Sequence, residues 1–380
     1  MLRCLNQSLV STQGSQPIDH NVILSIVSQH TKVTDHYARE DGSLEFSIED
    51  SPTLKEDFQK IINDLRAYEM IAALRRINGQ GLTITVGTTP VGKTKLKTWM
   101  PIALFAVTVG VVMYDGLLRS QTMNLSAYIA DPWEMAMIYT VSLMGILGIH
   151  ELGHVIASRK HKVKATWPFF IPGIPGFFIS PPTFGAVIFS RSHMPNRDIL
   201  FDIGVAGPIA GLIITVLVSI YGAMLSPLIP IEEASSLMNQ AQPQLIKINP
   251  SLIMLGTFFA SGKLVEGFVP IMSPIAFAAW IGFLLTFLNL LPAWQLDGGH
   301  VTRAALGLKW HRRLTFVSVA ILAALNYVFM ALFILMMNSR SPDVKPLDDV
   351  SPLSKKRKVI YVIALFLAFL CAPLPFPINF

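Results

Sequence analysis

Charge is scarce in this chain of 380 residues. Only 14% are Asp, Glu, Lys or Arg, against about a quarter in an ordinary soluble domain. That shortage excludes a chain built only of soluble domains. Cysteine is nearly missing: Cys4 and Cys371 stand at opposite ends, which excludes a disulfide framework and a cysteine-type zinc site. Neither sign of charge dominates. The net charge is +6, and the basic residues cluster beside apolar runs, so no nucleic-acid footprint is expected. The first fifteen residues lack the apolar core of a secretory signal. With Arg3, several serines and no acid before Asp19 they are only weakly like a transit peptide.

What is present is apolar. Hydrophobic residues make up 52% of the chain and the mean hydropathy is +0.51, which predicts a polytopic membrane protein. A membrane helix needs about 20 apolar residues. Such spans fall near 99–118, 137–157, 199–224, 270–291, 313–337 and 357–374. The expected fold is therefore an all-α membrane protein of about six transmembrane segments, preceded by a small soluble α/β domain. The expected divisions are an appendage (1–98), a membrane core (99–338), and a cytoplasmic linker with a last transmembrane segment (339–380).

In the appendage, 43–49 alternates at the strand period and 82–87 is similar. Between them, Leu54, Phe58, Ile61, Leu65, Tyr68 and Ala72 form one helical stripe. Thr53 and Glu56 fit a capping box at its start, and Gly79 and Gly81 end it. Residues 166–192 are apolar but rich in proline and glycine. Backbone cannot face lipid unpaired, which predicts a re-entrant loop or a hairpin, with 184–190 its most strand-like part. An interfacial loop is the alternative.

Basic residues set the orientation. Lys93, Lys95 and Lys97 precede the first span; Arg159, Lys160, Lys162 and Lys164 follow the second. Arg191 and Arg197 precede the third, and Arg303, Lys309, Arg312 and Arg313 follow the fourth. One crossing per span places all of them on the cytoplasmic side. The cluster from Lys355 to Lys358 breaks this rule if 313–337 crosses once, and obeys it if that segment, with Asn326 at its centre, is a pair of half-helices.

Three ionisable residues interrupt the second span: His150, Glu151 and His154. Residues i and i+4 share a helix face, so both imidazoles reach one metal ion. Glu151 projects beside them, where it can touch a metal-bound water. This is the HExxH spacing of zinc hydrolases; two core histidines with a helix glutamate is the structural alternative. A charge at mid-bilayer costs roughly 2.5–3.5 kcal/mol on insertion scales, and a divalent cation compensates three such groups. Each ring is expected to give its second N–H to a carbonyl or carboxylate. Catalytic zinc takes three protein ligands. Asp297 is the leading third candidate: it follows some 25 mostly apolar residues, after a helix break at Pro292 and ahead of Gly298 and Gly299. A helix N-cap is its alternative role. His300 is a rival ligand, otherwise a residue that supports the ligands or lies at the interface. Asp131, Glu134 and Asp202, at span edges, read as solvated charges.

HELGH in one span and NLLPAWQLDGG in a later one together resemble the site-2 protease family of intramembrane metalloproteases. NRDILFDIGVAGPIAG (196–211) and FFIPG…TFGAVI resemble further segments of that family, above all its archaeal, bacterial and plastid members, and the tail PLDDVSPLS (346–354) is similar to that branch. The likeness covers about residues 100–310; the appendage matches loosely. It implies that His150, His154 and Asp297 hold one Zn²⁺ per chain and that Glu151 is the general base and acid. It also implies that Asn289 bonds the substrate backbone or the developing oxyanion, a helix–helix hydrogen bond being the alternative. Gly207, Pro208 and Gly211 are assigned to close helix packing with no chemical role. The expected activity is cleavage of single-span membrane proteins inside the bilayer, as in regulated intramembrane proteolysis, in a prokaryotic cell membrane rather than an organellar one. A cytoplasmic partner of residues 1–98 is a further expectation. A metal-ion transporter and an inactive scaffold are the rival readings.

Overall fold

A computed structural model describes residues 20–77, 81–88, 97, 99–126, 131–176, 181–188, 192–240, 248–340 and 344–375. The leader-like stretch 1–15, Gly79, Lys93, Lys95 and Arg191 lie outside these. Helices α1 (His20–His30) and α2 (Leu54–Leu65) pack on an antiparallel sheet. Its strands are β1 (Val33–Ala38), β2 (Leu44–Ile48), β3 (Met70–Ile77) and β4 (Gly81–Thr88), in the order β1-β2-β4-β3. The alternation in β2 buries Leu44, Phe46 and Ile48 against Phe58, Ile61 and Leu65 of α2.

The helix expected to continue through Ala72 stops at Leu65. Residues 66–68 make one tight 3-10 turn and Glu69 takes a left-handed φ of 55°. From Met70 the chain is a strand, because Ala72 and Leu74 bury together at period two. Tyr68, expected on the apolar helical stripe, is exposed. The capping box does not form either. The Thr53 hydroxyl donates to Asp57 Oδ2 at 2.6 Å and makes no cap bond.

The next elements are α3 (Met100–Ser126), α4 (Pro132–Lys160), β5 (Phe169–Pro172), β6 (Thr183–Val187), α5 (Arg197–Met224), β7 (Leu228–Pro230), α6 (Ile231–Gln240), α7 (Leu252–Ala260) and β8 (Phe268–Pro270). They are followed by α8 (Pro274–Leu290), α9 (Asp297–Leu306), α10 (Leu308–Ala324), α11 (Val328–Arg340) and α12 (Lys355–Cys371). Among the described residues three helices are long and apolar enough to cross a membrane, those starting at Met100, Pro132 and Arg197. Helices α8 and α12 have 17 residues each. The irregular segment is a hairpin: β5 pairs antiparallel with β6, Phe169 opposite Val187. Residues 177–180, 189 and 190 lie outside the described set.

The segment 313–337 is two helices. α10 and α11 meet at a turn in which Asn326 has φ 65°, a left-handed position that asparagine tolerates better than most residues. The cluster at 355–358 therefore sits at the α5 end that carries Arg197. Arg357 holds Asp202 with two bonds of 2.6 Å and reaches Asp198 at 3.1 Å. Asp202, expected to be solvated, is half-buried and also meets His161 at 3.0 Å. Asp131 remains exposed and caps α4, accepting from the N–H groups of Trp133 and Glu134.

One buried ion pair is not signalled by any sequence pattern. Asp115 of α3 is fully buried and accepts from Arg119 Nε at 2.7 Å, Tyr139 OH at 2.7 Å and Gly176 N–H at 3.0 Å. It joins α3 to α4 and to the hairpin region. The Arg119 guanidinium covers the Phe277 ring of α8 at 3.7 Å.

Candidate metal centre

Helix α4 runs unbroken past His150 and His154, so their one-turn spacing puts both rings on one face. Their Nε2 atoms are 3.2 Å apart. Helix α5 lies against this face. Its Gly207 and Gly211, also one turn apart, stand opposite the two rings. A β-carbon at 207 would overlap the His154 imidazole, and one at 211 would press the His150 Cβ at 3.0 Å. These glycines do permit close packing, and what they admit is the imidazole pair. His154 Nδ1 lies 2.7 Å from the Ile203 carbonyl oxygen. A carbonyl only accepts, so Nδ1 carries the proton and the Nε2 lone pair of the neutral ring faces the cluster.

The third group comes from the break between α8 and α9. Helix α8 ends at Leu290, residues 291–296 turn, and Asp297 opens α9 with Leu296 as its N-cap. The turn is so tight that β-carbons at 298 and 299 would collide with the carbonyl oxygens of Leu290 and Trp294; only glycine fits. Asp297 Oδ2 lies 3.3 Å from His150 Nε2 and 3.2 Å from His154 Nε2. The alternative role for Asp297, a surface N-cap, is not what the geometry gives.

These three residues form the one His/Cys/Asp/Glu group of metal-binding geometry among the described residues. The donor atoms make a triangle with edges of 3.2–3.3 Å. Tetrahedral zinc, bonded at about 2.0–2.1 Å, holds its N and O ligands about 3.3–3.4 Å apart, so the donor set fits Zn²⁺ without rearrangement. Two imidazoles and one carboxylate also suit a borderline cation. Glu151 is buried beside His150 and is not one of the three donors. Asn289 of α8 brings Nδ2 to 3.4 Å from His150 Nε2, at the edge of the triangle. His300 is outside the triangle and faces Gly204 of α5.

Residues 138–336, a little over half of the 380, match the model of peptidase family M50. The chain belongs to this family, the site-2 protease family. It is 26% identical over 239 residues to the probable zinc metalloprotease EGY2, chloroplastic, of Oryza sativa subsp. indica, covering 62% of this chain and 42% of that protein. It is 29% identical over 269 residues to the probable zinc metalloprotease EGY1, chloroplastic, of Arabidopsis thaliana, covering 63% and 45%. With the probable zinc metalloprotease EGY3, chloroplastic, of Oryza sativa subsp. indica the identity is 25% over 310 residues, covering 75% and 49%. The chain thus spans less than half the length of these relatives. No solved structure gives a significant match.

Proposed function

We propose that this member of the site-2 protease family is an intramembrane zinc endopeptidase that cuts transmembrane segments of membrane-protein substrates, as in regulated intramembrane proteolysis. The observation that carries this reading is the convergence of His150, His154 and Asp297, from two separate helices, on one point beside a buried Glu151. We assign one Zn²⁺ per chain to that point. When bound, zinc would acidify a water and polarise the scissile carbonyl.

The chain's own residues do the rest. Glu151 takes a proton from the attacking water and delivers it to the amine as the peptide C–N bond breaks. Asn289 donates its Nδ2–H to the carbonyl oxygen as that oxygen gains charge. His154 keeps Nε2 free of protons because Ile203 fixes the other nitrogen. A helical substrate hides its carbonyls and must unwind first; the β5–β6 hairpin offers a strand edge on which an extended segment can pair.

In this reading six membrane segments surround the site. Helices α3, α4, α5, α8 and α12 cross, and the α10–α11 pair enters and leaves on the cytoplasmic side. The α1–α2 and β1–β4 region is a soluble domain on that side, available to a cytoplasmic partner. The chloroplastic names of the relatives weigh toward an organellar membrane and against the prokaryotic one favoured by the sequence alone.

The test compares cleavage of a single-span membrane substrate by wild type and Glu151→Gln, with zinc measured in both. The reading expects the variant to keep its zinc and lose cleavage. Metal flux across vesicles without any cleavage by wild type would instead support a transporter.

A further inference from the structure

We propose that His311 and Thr315 of α10 are positioning residues for Asp297, acting through the backbone of Trp294; this inference rests on the metal reading above. Trp294 has φ 44°, a left-handed conformation that a bulky residue holds only where its surroundings impose it. Both of its backbone polar groups are held from α10. Its N–H donates to Thr315 Oγ1 at 3.1 Å, and its carbonyl accepts from His311 Nε2 at 2.8 Å. The Thr315 hydroxyl spends its own proton on the His311 carbonyl at 2.9 Å, which commits the Thr315 lone pairs to Trp294. Thr315 is fully buried and His311 is 5% exposed, so water does not compete for these bonds.

What Trp294 does reaches Asp297 with little slack. The turn that follows is closed by Leu296 N–H to the Ala293 carbonyl at 3.1 Å and by His300 N–H to the Leu296 carbonyl at 3.0 Å. The Trp294 carbonyl oxygen occupies the space where a β-carbon on Gly299 would stand. A rotation at Trp294 therefore displaces the first turn of α9, and with it the carboxylate that Asp297 holds 3.2–3.3 Å from the two imidazoles. Neither α10 residue is one of the three donors. Their role is to fix the backbone from which the third donor is aimed.

The experiment measures zinc affinity by competition with a chelating dye on the full chain in detergent, together with the thermal unfolding midpoint. Thr315→Val removes one bond at nearly constant shape, His311→Phe removes the other, and Thr315→Ser restores the hydroxyl. Thr315→Val and His311→Phe are expected to weaken zinc binding by about tenfold or more, with Thr315→Ser close to wild type. A lowered midpoint with zinc affinity within about twofold of wild type, against the tenfold expected, would mean a structural role only and overturn the inference. So would a Thr315→Ser variant as weak as Thr315→Val. Should Thr315→Val fail to fold, the His311→Phe and Thr315→Ser pair decides by the same criteria. A wild-type chain that binds no zinc overturns the metal reading and this inference together; wild-type zinc binding that the variants leave intact overturns this inference alone.

Discussion

Gly207 of α5 faces His154 of α4 so closely that any β-carbon at position 207 would overlap the imidazole ring. Gly207→Ala therefore forces either the ring or the helix to move, at a cost of about 1–3 kcal/mol for overpacking. Displacing a ligand ring should weaken zinc binding by about tenfold or more. Gly211→Ala should be milder, because its β-carbon would come no nearer than 3.0 Å to the His150 Cβ and 3.2 Å to its Nδ1, and a small shift relieves that. Chelator competition on the two variants checks the ranking, and wild-type affinity in Gly207→Ala would contradict it.

Asp115→Ala should be strongly destabilising. It leaves the Arg119 guanidinium, bonded to Asp115 at 2.7 Å, unpaired in an apolar bundle, and breaking one side of a buried pair costs about 3–5 kcal/mol. The double variant Asp115→Ala with Arg119→Met should recover much of the loss. Unfolding in detergent measures both, and a single variant within about 1 kcal/mol of wild type, well under the cost of a broken buried pair, would refute the argument.

Acid should loosen the contact between α9 and the segment before α12. Burial alone would raise the Asp349 carboxyl. The hydrogen bonds from Arg303 and the charges of Arg303, Arg197 and Arg75 outweigh burial and hold it below the ordinary value of 3.8. A carboxyl depressed in the folded state contributes stability that is complete above its unfolded pKa and is lost as pH falls through the folded one. The gap in unfolding midpoint between wild type and Asp349→Asn should thus be constant near neutrality and shrink below about pH 4. A gap that stays unchanged down to pH 3 would count against this assignment.

The pairing of His150 and His154 is legible in the sequence because its geometry is local. The one-turn spacing of His150 and His154 is fixed by helix geometry, and Asp297 is conspicuous after an apolar run. Non-local features were not legible. Nothing in Asp115 announces that Gly176 and Tyr139 will meet it. Nothing in Asp202 announces Arg357, 155 residues away. The glycines of α5 looked like packing residues because their partners, the imidazoles, belong to another helix. Strand β3 is hidden in the sequence for a different reason. Tyr68 and Ala72 happen to continue the helical spacing of α2, and only the sheet, by burying Ala72 and Leu74 on one side, decides between the two periods.

Zinc X-ray absorption on the purified chain and on Asp297→Asn tests the central claim most directly. The account predicts about one zinc per wild-type chain, bound by two imidazole nitrogens and oxygen donors at about 2.0–2.2 Å, and a weakened, altered shell in the variant. Wild-type protein without zinc, or a zinc shell identical in Asp297→Asn, would contradict it.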